Sequence, residues 1–488
     1  MLSRSALRFK PKRLNALFDT RALSTSTGNA FNHQNHHNSK SFKAVSSGGA
    51  ILLGSALAAS FLLSSENRND KPALLESSSP IINEGDEDET TTVINWSGTH
   101  SIEVANKNYF EPETIAELEQ IVAKCHEKGQ PIRPVGSALS PNAISFNSDG
   151  MISLVNLDRI VKVDKDNMTV TVEAGARVSQ VIDALREHGL TLPNLASIAE
   201  QQMGGFVQIG AHGTGAKISP VDEFVTSLKL VTPARGMVEL TAEDGEMFQL
   251  AKVGLGCLGV VSEVTMKVVP AHDLLEHTYV LTRSEAKSQL NDLLKNHKHV
   301  RYMWIPYQDT VVVVTNDETD ENSAKLVEDK SQSKQGVDTF KPLKDLLKEL
   351  SKDSKEPFTD ENLEGKGFGE LRDALLGFKP MNGDHVKIVN EAEAKFWKMS
   401  EGWQIRPSDE LLQFDCGGQQ WVFEMCLPTG TYADNAGNDM KFMENLLEKI
   451  ETEKIPAHAP IEQRWSANSN SLMSPAHGPD GGLHCWVG

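Results

Sequence analysis

The sequence predicts an α+β chain of two folded domains behind a long leader, on three observations. Residues 93–270 alternate helix-like and strand-like hydrophobic patterns. Beyond Pro270 the texture changes to amphipathic helical stretches around a few strongly apolar strands, and residues 1–92 carry neither periodicity. A chain of 488 residues is too long for one ordinary core, so two or three folded units are the natural division.

The leader reads in three parts. Residues 1–43 are rich in Arg, Ser and Asn, and MLSRSALRFKPKRLNALF sets Leu2, Leu7, Leu14 and Leu17 among basic side chains, the composition of a mitochondrial transit peptide. Residues 44–65, AVSSGGAILLGSALAASFLLSS, hold no charge and at about 1.5 Å per residue are long enough to cross a bilayer core. Together they suggest an inner-membrane sorting signal, kept as an anchor or cut away, with the body in the intermembrane space. Residues 66–92 form an acidic, Ser-rich linker.

The net charge is −19, yet residues 1–65 carry eight basic side chains against Asp19 alone, so the remainder carries −26. Such a body lacks the clustered Lys and Arg that neutralise phosphates, which argues against nucleic-acid binding. It favours a basic protein partner, through steering more than affinity. Five cysteines (Cys125, Cys257, Cys416, Cys426, Cys485) show no CxxC spacing and no neighbouring His cluster, so no metal site and no disulfide framework is expected.

In the body, residues 112–129 predict a helix, with Ile115, Leu118, Ile121 and Val122 at helical spacing and Gly129 closing it. MISLVNLDRI, IVKVDK and MTVTVEAG read as strands, 177–190 as a second helix, and FVTSLKLVTP and GVVSEVTMKVVP as further strands. HTYVLTRSEAKSQLNDLLKNH opens the second domain, followed by the apolar strand TVVVVT (310–315). Residues 316–366 form a charged insertion, partly mobile, around the amphipathic FKPLKDLLKELSKD. Helices return at 385–402 and 440–454, and LLQFDCGGQQWVFEMCL (411–427) reads as strands.

Two glycine patterns bear on chemistry. GLGCLG (254–259) spells GxGxxG, but a dinucleotide fingerprint needs a strand before it and a helix after it. Here a helix-like stretch precedes and a strand follows, so classical Rossmann binding is rejected. QQMGGFVQIGAHGTGAK (201–217) strings Gly204, Gly205, Gly210, Gly213 and Gly215 around His212 and Thr214. It is either a surface on which backbone N–H groups and Thr214 meet a phosphate or a planar ring, or a tight packing corner. RPVGSALSPN (133–142) favours the first, because it offers a second small-residue loop with Ser137 and Ser140 as donors. Two such loops can clamp the two phosphates of one extended dinucleotide.

These strings, together with GLTLPNLASIAEQQMGG and GLGCLGVVSEVT in this order, resemble the PCMH-type FAD-binding domain of the vanillyl-alcohol oxidase flavoprotein family. WIPYQDTVVVVT, FDCGGQQWVFE and PIEQRW are similar to its aldonolactone oxidoreductase branch, and the resemblance runs from about residue 94 to 488. It implies a two-subdomain FAD-binding domain over 93–270 and an α+β cap domain over 271–488, with a further C-terminal stretch in the family. It further implies a mitochondrial flavoenzyme that oxidises L-galactono-1,4-lactone to L-ascorbate and passes electrons to cytochrome c. A D-arabinono-1,4-lactone-type oxidase using O₂, and a catalytically incomplete scaffold or assembly protein, remain alternatives.

Residue by residue, the resemblance places FAD against Val135, Gly136, Ser137, Ala138, Leu139 and Ser140, and against Ala196, Ser197, Gly204, Gly205, Gly210, His212, Gly213 and Thr214. Flavin-linked relatives carry a His where Leu139 stands, so FAD is expected to be non-covalent. Ala196 stands where oxidase relatives tend to carry Gly; its methyl is expected to keep O₂ from the flavin. Glu462 and Arg464 alternate to one face if PIEQRW is extended. They are expected to bind and deprotonate the substrate hydroxyl and to offset negative charge, unless they are a surface ion pair. Gln419, Gln420 and Trp421 are candidates for the substrate pocket, with Trp421 equally a core residue, and Cys416 is expected to be buried and inert.

Overall fold

The computed structural model describes residues 89–331, 337–413 and 421–488. The chain divides into two units, Met1–Ser78 and Ser79–Gly488, and every described residue belongs to the second. The expected transit peptide and apolar segment, most of the linker, and Cys416, Gln419 and Gln420 lie outside the described residues. No described helix is long and apolar enough to cross a membrane.

The body begins slightly earlier than the sequence predicts. Thr90–Ile94, whose β-branched run suits a pleated surface, pairs antiparallel with Ser101–Ala105, so the hairpin starts inside the stretch read as linker. The helix read at 112–129 spans Ile115–Lys128. The Thr114 side chain caps its first turn by accepting from Glu117 N–H, and Gly129 ends it at φ 63°. Leu118, Val122 and Cys125 are its buried face.

Two sheets make the first domain. A three-stranded parallel sheet, in the order Tyr109–Phe110, Met151–Ser153, Arg133–Val135, stands beside a five-stranded antiparallel one. The latter runs Gly236–Thr241, Val225–Thr232, Val260–Lys267, Thr169–Glu173, Ile160–Asp164. The strand expected through MISLVNLDRI stops at Ser153, because the backbone turns: Leu157 N–H donates to the Leu154 carbonyl and Gly175 N–H to that of Leu157. GLGCLG lies between the helix Glu246–Lys252 and the strand Val260–Lys267, the reverse of a dinucleotide fingerprint.

The second domain is a seven-stranded antiparallel sheet with helices on both faces. Its order is Gly402–Pro407, Asp273–Leu281, Val311–Glu318, His299–Trp304, Ile461–Ala467, Gly482–Val487, Met425–Thr431. Alternate residues serve opposite faces. Tyr302, Trp304, Val311 and Val313 pack against Leu290, Met443 and Leu447 of the helices Arg283–Asn296 and Asn438–Thr452. Met303, Val312 and Val314 meet Ala394 and Trp397 of the helix Gly383–Ser400.

In this domain the amphipathic stretch expected within the charged insertion forms a helix with a buried face, and the strand reading of 411–427 needs correction. The charged insertion holds helices at Ser323–Ser331, Lys341–Ser351 and Asp360–Leu363, and Leu343, Leu347 and Leu363 are fully buried against Leu371, Leu375 and Val389. Few apolar side chains, correctly spaced, make a core here despite the charge around them. The stretch 411–427 is not continuous strand: Leu411 closes the short helix Ser408–Leu411, and among its described residues strand pairing is seen from Met425.

Candidate functional site

A cavity of about 810 Å³ runs from the first domain into the second. Its first wall is Val135–Ser140, the loop leaving the carboxyl end of the strand Arg133–Val135. The N-terminal hairpin holds this loop from behind: Trp96 N–H donates to the Ala138 carbonyl at 2.8 Å, and Asn95 Nδ2 to that of Ser140 at 3.1 Å. Ala138 sits at φ 50°, a left-handed conformation that non-glycine residues rarely adopt, and it delivers Leu139 to the cavity wall.

The opposite wall carries Ala196, Ser197, Gly204, Gly205 and His212. The stretch read as a glycine-rich loop is partly a helix, Met203–Gln208, because Met203, Phe206 and Val207 bury one face into the core. Its two glycines differ in purpose. A Cβ on Gly204 would come 2.9 Å from that of Ala174, so this glycine permits close packing, whereas Gly205 has open space where a side chain would project.

Gly210, Gly213 and Thr214, also expected to meet the cofactor, are not among the residues that line the cavity. The Thr214 hydroxyl donates to the Val300 carbonyl, His299 Nδ1 donates to the Thr214 carbonyl at 2.6 Å, and Gly215 N–H donates to the Trp465 carbonyl at 2.7 Å. A Cβ on Gly213 would fall 2.2 Å from Asn194 Oδ1. This segment is the packing corner that joins the first domain to the cap sheet.

The floor is the cap sheet. PIEQRW is extended, as expected, and Arg301 faces Arg464 while Met303 faces Glu462 across neighbouring strands. Glu462 Oε1 lies 3.7 Å from Arg301 Nη1, and Glu462 Oε2 lies 3.4 Å from Arg464 Nε. Arg464 donates from Nη2 to Glu424 Oε1 at 3.0 Å and from Nη1 to Ser197 Oγ at 3.4 Å. His212 Nε2 stands 3.2 Å from the same Glu424 oxygen, and its ring stacks on Trp486 with centroids 3.6 Å apart. Burial opposes the charged form of Glu424, but His212 and Arg464 outweigh it and bring its pKa down to about 2.

Glu462 and Arg464 are therefore part of a charged row that also contains Arg301, Glu424 and His212, and a surface ion pair is not what the fold makes of them. Sequence reading missed Arg301 and Glu424. The only signal was period-two alternation on strands whose register no local pattern reveals. Trp421 is 77% exposed at the mouth of the cavity, edge-on to His100 at 5.1 Å, so it is not core.

The cavity fits an FAD. Its volume lies toward the upper end of the roughly 300–1,000 Å³ typical of small-molecule sites. Gln201 Oε1, a buried acceptor on the wall, has no hydrogen-bond partner among the described residues, and Gly205 on the same wall leaves open space. Val135 to Ser140 and Gly205 would hold the cofactor.

Fold and cavity together define a two-domain FAD-binding flavoprotein. Residues 107–241 match the family model described as FAD binding domain, and residues 264–488 match that described as D-arabinono-1,4-lactone oxidase. The chain belongs to the aldonolactone oxidoreductase family. It is 49% identical over 412 residues to mitochondrial L-galactono-1,4-lactone dehydrogenase of Arabidopsis thaliana, covering 81% of this chain and 66% of that one. It is 47% identical over 406 residues to a rice (Oryza sativa subsp. japonica) protein named mitochondrial L-galactono-1,4-lactone dehydrogenase 2, covering 82% of this chain and 69% of that one. L-gulonolactone oxidase of Bos taurus is 32% identical over 384 residues, with 78% of each chain covered. This chain thus spans about two thirds of the length of its plant relatives. Among solved structures, cholesterol oxidase from B. sterolicum shares the fold at TM-score 0.60 and 15% identity, with 84% of this chain and 82% of that one covered.

Proposed function

We propose that the protein oxidises L-galactono-1,4-lactone to L-ascorbate in mitochondria, at the inner membrane facing the intermembrane space, with cytochrome c as electron acceptor. The observation that supports it best is the Arg301–Glu462–Arg464 row on the floor of a cavity matched to FAD, in a chain nearly half identical to proteins named for this reaction.

Bound FAD supplies a hydride acceptor. The protein's part is to hold the lactone and manage one proton. Glu462 accepts a hydrogen bond from the hydroxyl next to the lactone carbonyl, and takes its proton as the carbon gives up hydride. Two guanidiniums flank Glu462, so it is fixed in position, and Arg464 offsets the negative charge that develops as the reaction proceeds. Glu424 and Ser197 hold Arg464 in turn. The 2-keto lactone then enolises to the enediol.

The match to the D-arabinono-1,4-lactone oxidase model supports a second reading, an aldonolactone oxidase that reduces O₂. Ala196 on the cavity wall favours the dehydrogenase. The test is the visible spectrum of the purified chain with L-galactono-1,4-lactone under anaerobic conditions, followed by cytochrome c reduction against peroxide formation. Bleaching and cytochrome c reduction are expected; a flavin that the lactone leaves yellow refutes the reading. Acid precipitation is expected to release the flavin, since Leu139 has no nucleophile, and Ala196→Gly to raise the peroxide share.

A further inference from the structure

At its cap end the cavity reaches two buried charged side chains that the mechanism above leaves unused, Arg372 and Glu393. Glu393 is fully buried on the helix Gly383–Ser400, and Arg372 is 9% exposed on the helix Phe368–Gly377. Glu393 Oε1 accepts from Trp397 Nε1 at 3.2 Å, one helical turn away, but its Oε2 is buried with no hydrogen-bond partner among the described residues. Arg372 Nε is likewise buried without a hydrogen-bond partner among the described residues; it forms an ion pair with its chain neighbour Asp373 at 3.8 Å, too long for a hydrogen bond.

A buried acceptor and a buried donor, neither hydrogen-bonded, are costly in a core and rare in folded proteins. Here both lie on the wall of a cavity, so a guest can complete them. A hydroxyl group donates and accepts at once, and a vicinal diol offers two such groups. Placement supports the same guest. Met303 packs in one cluster with Trp397 and Ala394, the latter next to Glu393 in sequence, and across the strands it faces Glu462. The two groups therefore line the same cavity as Glu462 and Arg464, on whose strand the lactone ring is proposed to lie.

We propose that Glu393 and Arg372 form a hydroxyl-recognising subsite that receives the exocyclic diol of a hexono-1,4-lactone and selects it over lactones with a shorter side chain. This rests on the aldonolactone reading of the same cavity. A pentono-1,4-lactone carries one exocyclic hydroxyl and completes at most part of the subsite; a hexono-1,4-lactone completes it.

The test uses the flavin-loaded full chain and its Glu393→Leu, Glu393→Gln and Arg372→Gln variants. Heats of binding are measured for a hexono- and a pentono-1,4-lactone that both lack the reacting hydroxyl, alongside kcat/KM for the reactive pair. Glu393→Leu is expected to weaken the hexonolactone at least tenfold and the pentonolactone less than twofold, with Glu393→Gln intermediate because it keeps an acceptor. If Glu393→Leu does not fold, the same ratio is read from Glu393→Gln and Arg372→Gln. Equal losses for both lactones, or no loss for either, overturn the subsite while leaving the functional reading intact. A parent protein that oxidises neither lactone overturns the functional reading and the subsite with it.

Discussion

Glu462 owes its setting to residues far from it in sequence. Arg301 approaches it from the neighbouring strand and Arg464 from two positions along its own, so a carboxylate on an extended segment is held by two guanidiniums rather than left to solvent. A group so placed positions a hydroxyl well. Glu462→Gln keeps the shape but cannot take up the proton, and turnover is expected to fall about a hundredfold or more while the flavin absorbance is retained. Stopped-flow flavin reduction measures it; unchanged turnover would remove Glu462 from the proton path. Of the residues expected to meet the cofactor, most do line the cavity, but Thr214 spends its hydroxyl on the Val300 carbonyl. Its sequence neighbourhood, glycines beside a hydroxyl, is the same for a phosphate cradle and for a packing corner. Only the partner across the domain junction tells them apart.

The helix Gly383–Ser400 illustrates how an element carries a titratable group into a core. Its pattern was legible in sequence from the apolar spacing of Val386, Val389 and Phe396, but that spacing also carries Glu393 inward. Burial pushes the Glu393 carboxyl up to about 7, against the lowering influence of Arg372 and the Trp397 hydrogen bond. Because the folded pKa is raised above the unfolded value, the folded state holds the proton more tightly. Stability therefore falls as pH rises from the ordinary glutamate range through about 7. Glu393→Gln, which mimics the neutral form, is expected to differ little from the parent at pH 5. At pH 8 it should be the more stable protein, by up to about 3 kcal/mol, in thermal unfolding of lactone-free protein. The short helix Met203–Gln208 makes the complementary point. Two adjacent glycines disfavour helix, and burial of Met203, Phe206 and Val207 overrides that preference.

At the scale of the molecule, the two domains are tied together by groups that meet only after folding. Glu424 leads into the last strand of the cap sheet and engages His212 of the first domain; Asp222 of the first domain accepts from Ser469 and Ser471 of the second. The Glu424 pKa is depressed to about 2, so its contribution to stability is complete above the ordinary glutamate pKa and is lost as pH falls toward 2. Glu424→Gln is expected to unfold at lower temperature than the parent at pH 6, with the gap narrowing at pH 3 and closing only toward pH 2. Its carboxylate is about a third exposed and screened by solvent, which limits the gap to about 1–2 kcal/mol. A constant gap across that range would mean that the contact with His212 and Arg464 does not link the domains.

What the sequence determined by itself is what depends on local order. Helix and strand periods, the stop at Gly129 and the misplaced GLGCLG are settled by neighbours in the chain. So is the extended form of residues 460–465, which put Glu462 and Arg464 on one face. The tertiary structure alone decided what those faces meet: Arg301 beside Glu462, Glu424 between His212 and Arg464, and Glu393 with Arg372 at the far end of the cavity. The reason is physical. Strand register and domain docking depend on burial summed over segments a hundred or more residues apart, and no local pattern of residues encodes that sum.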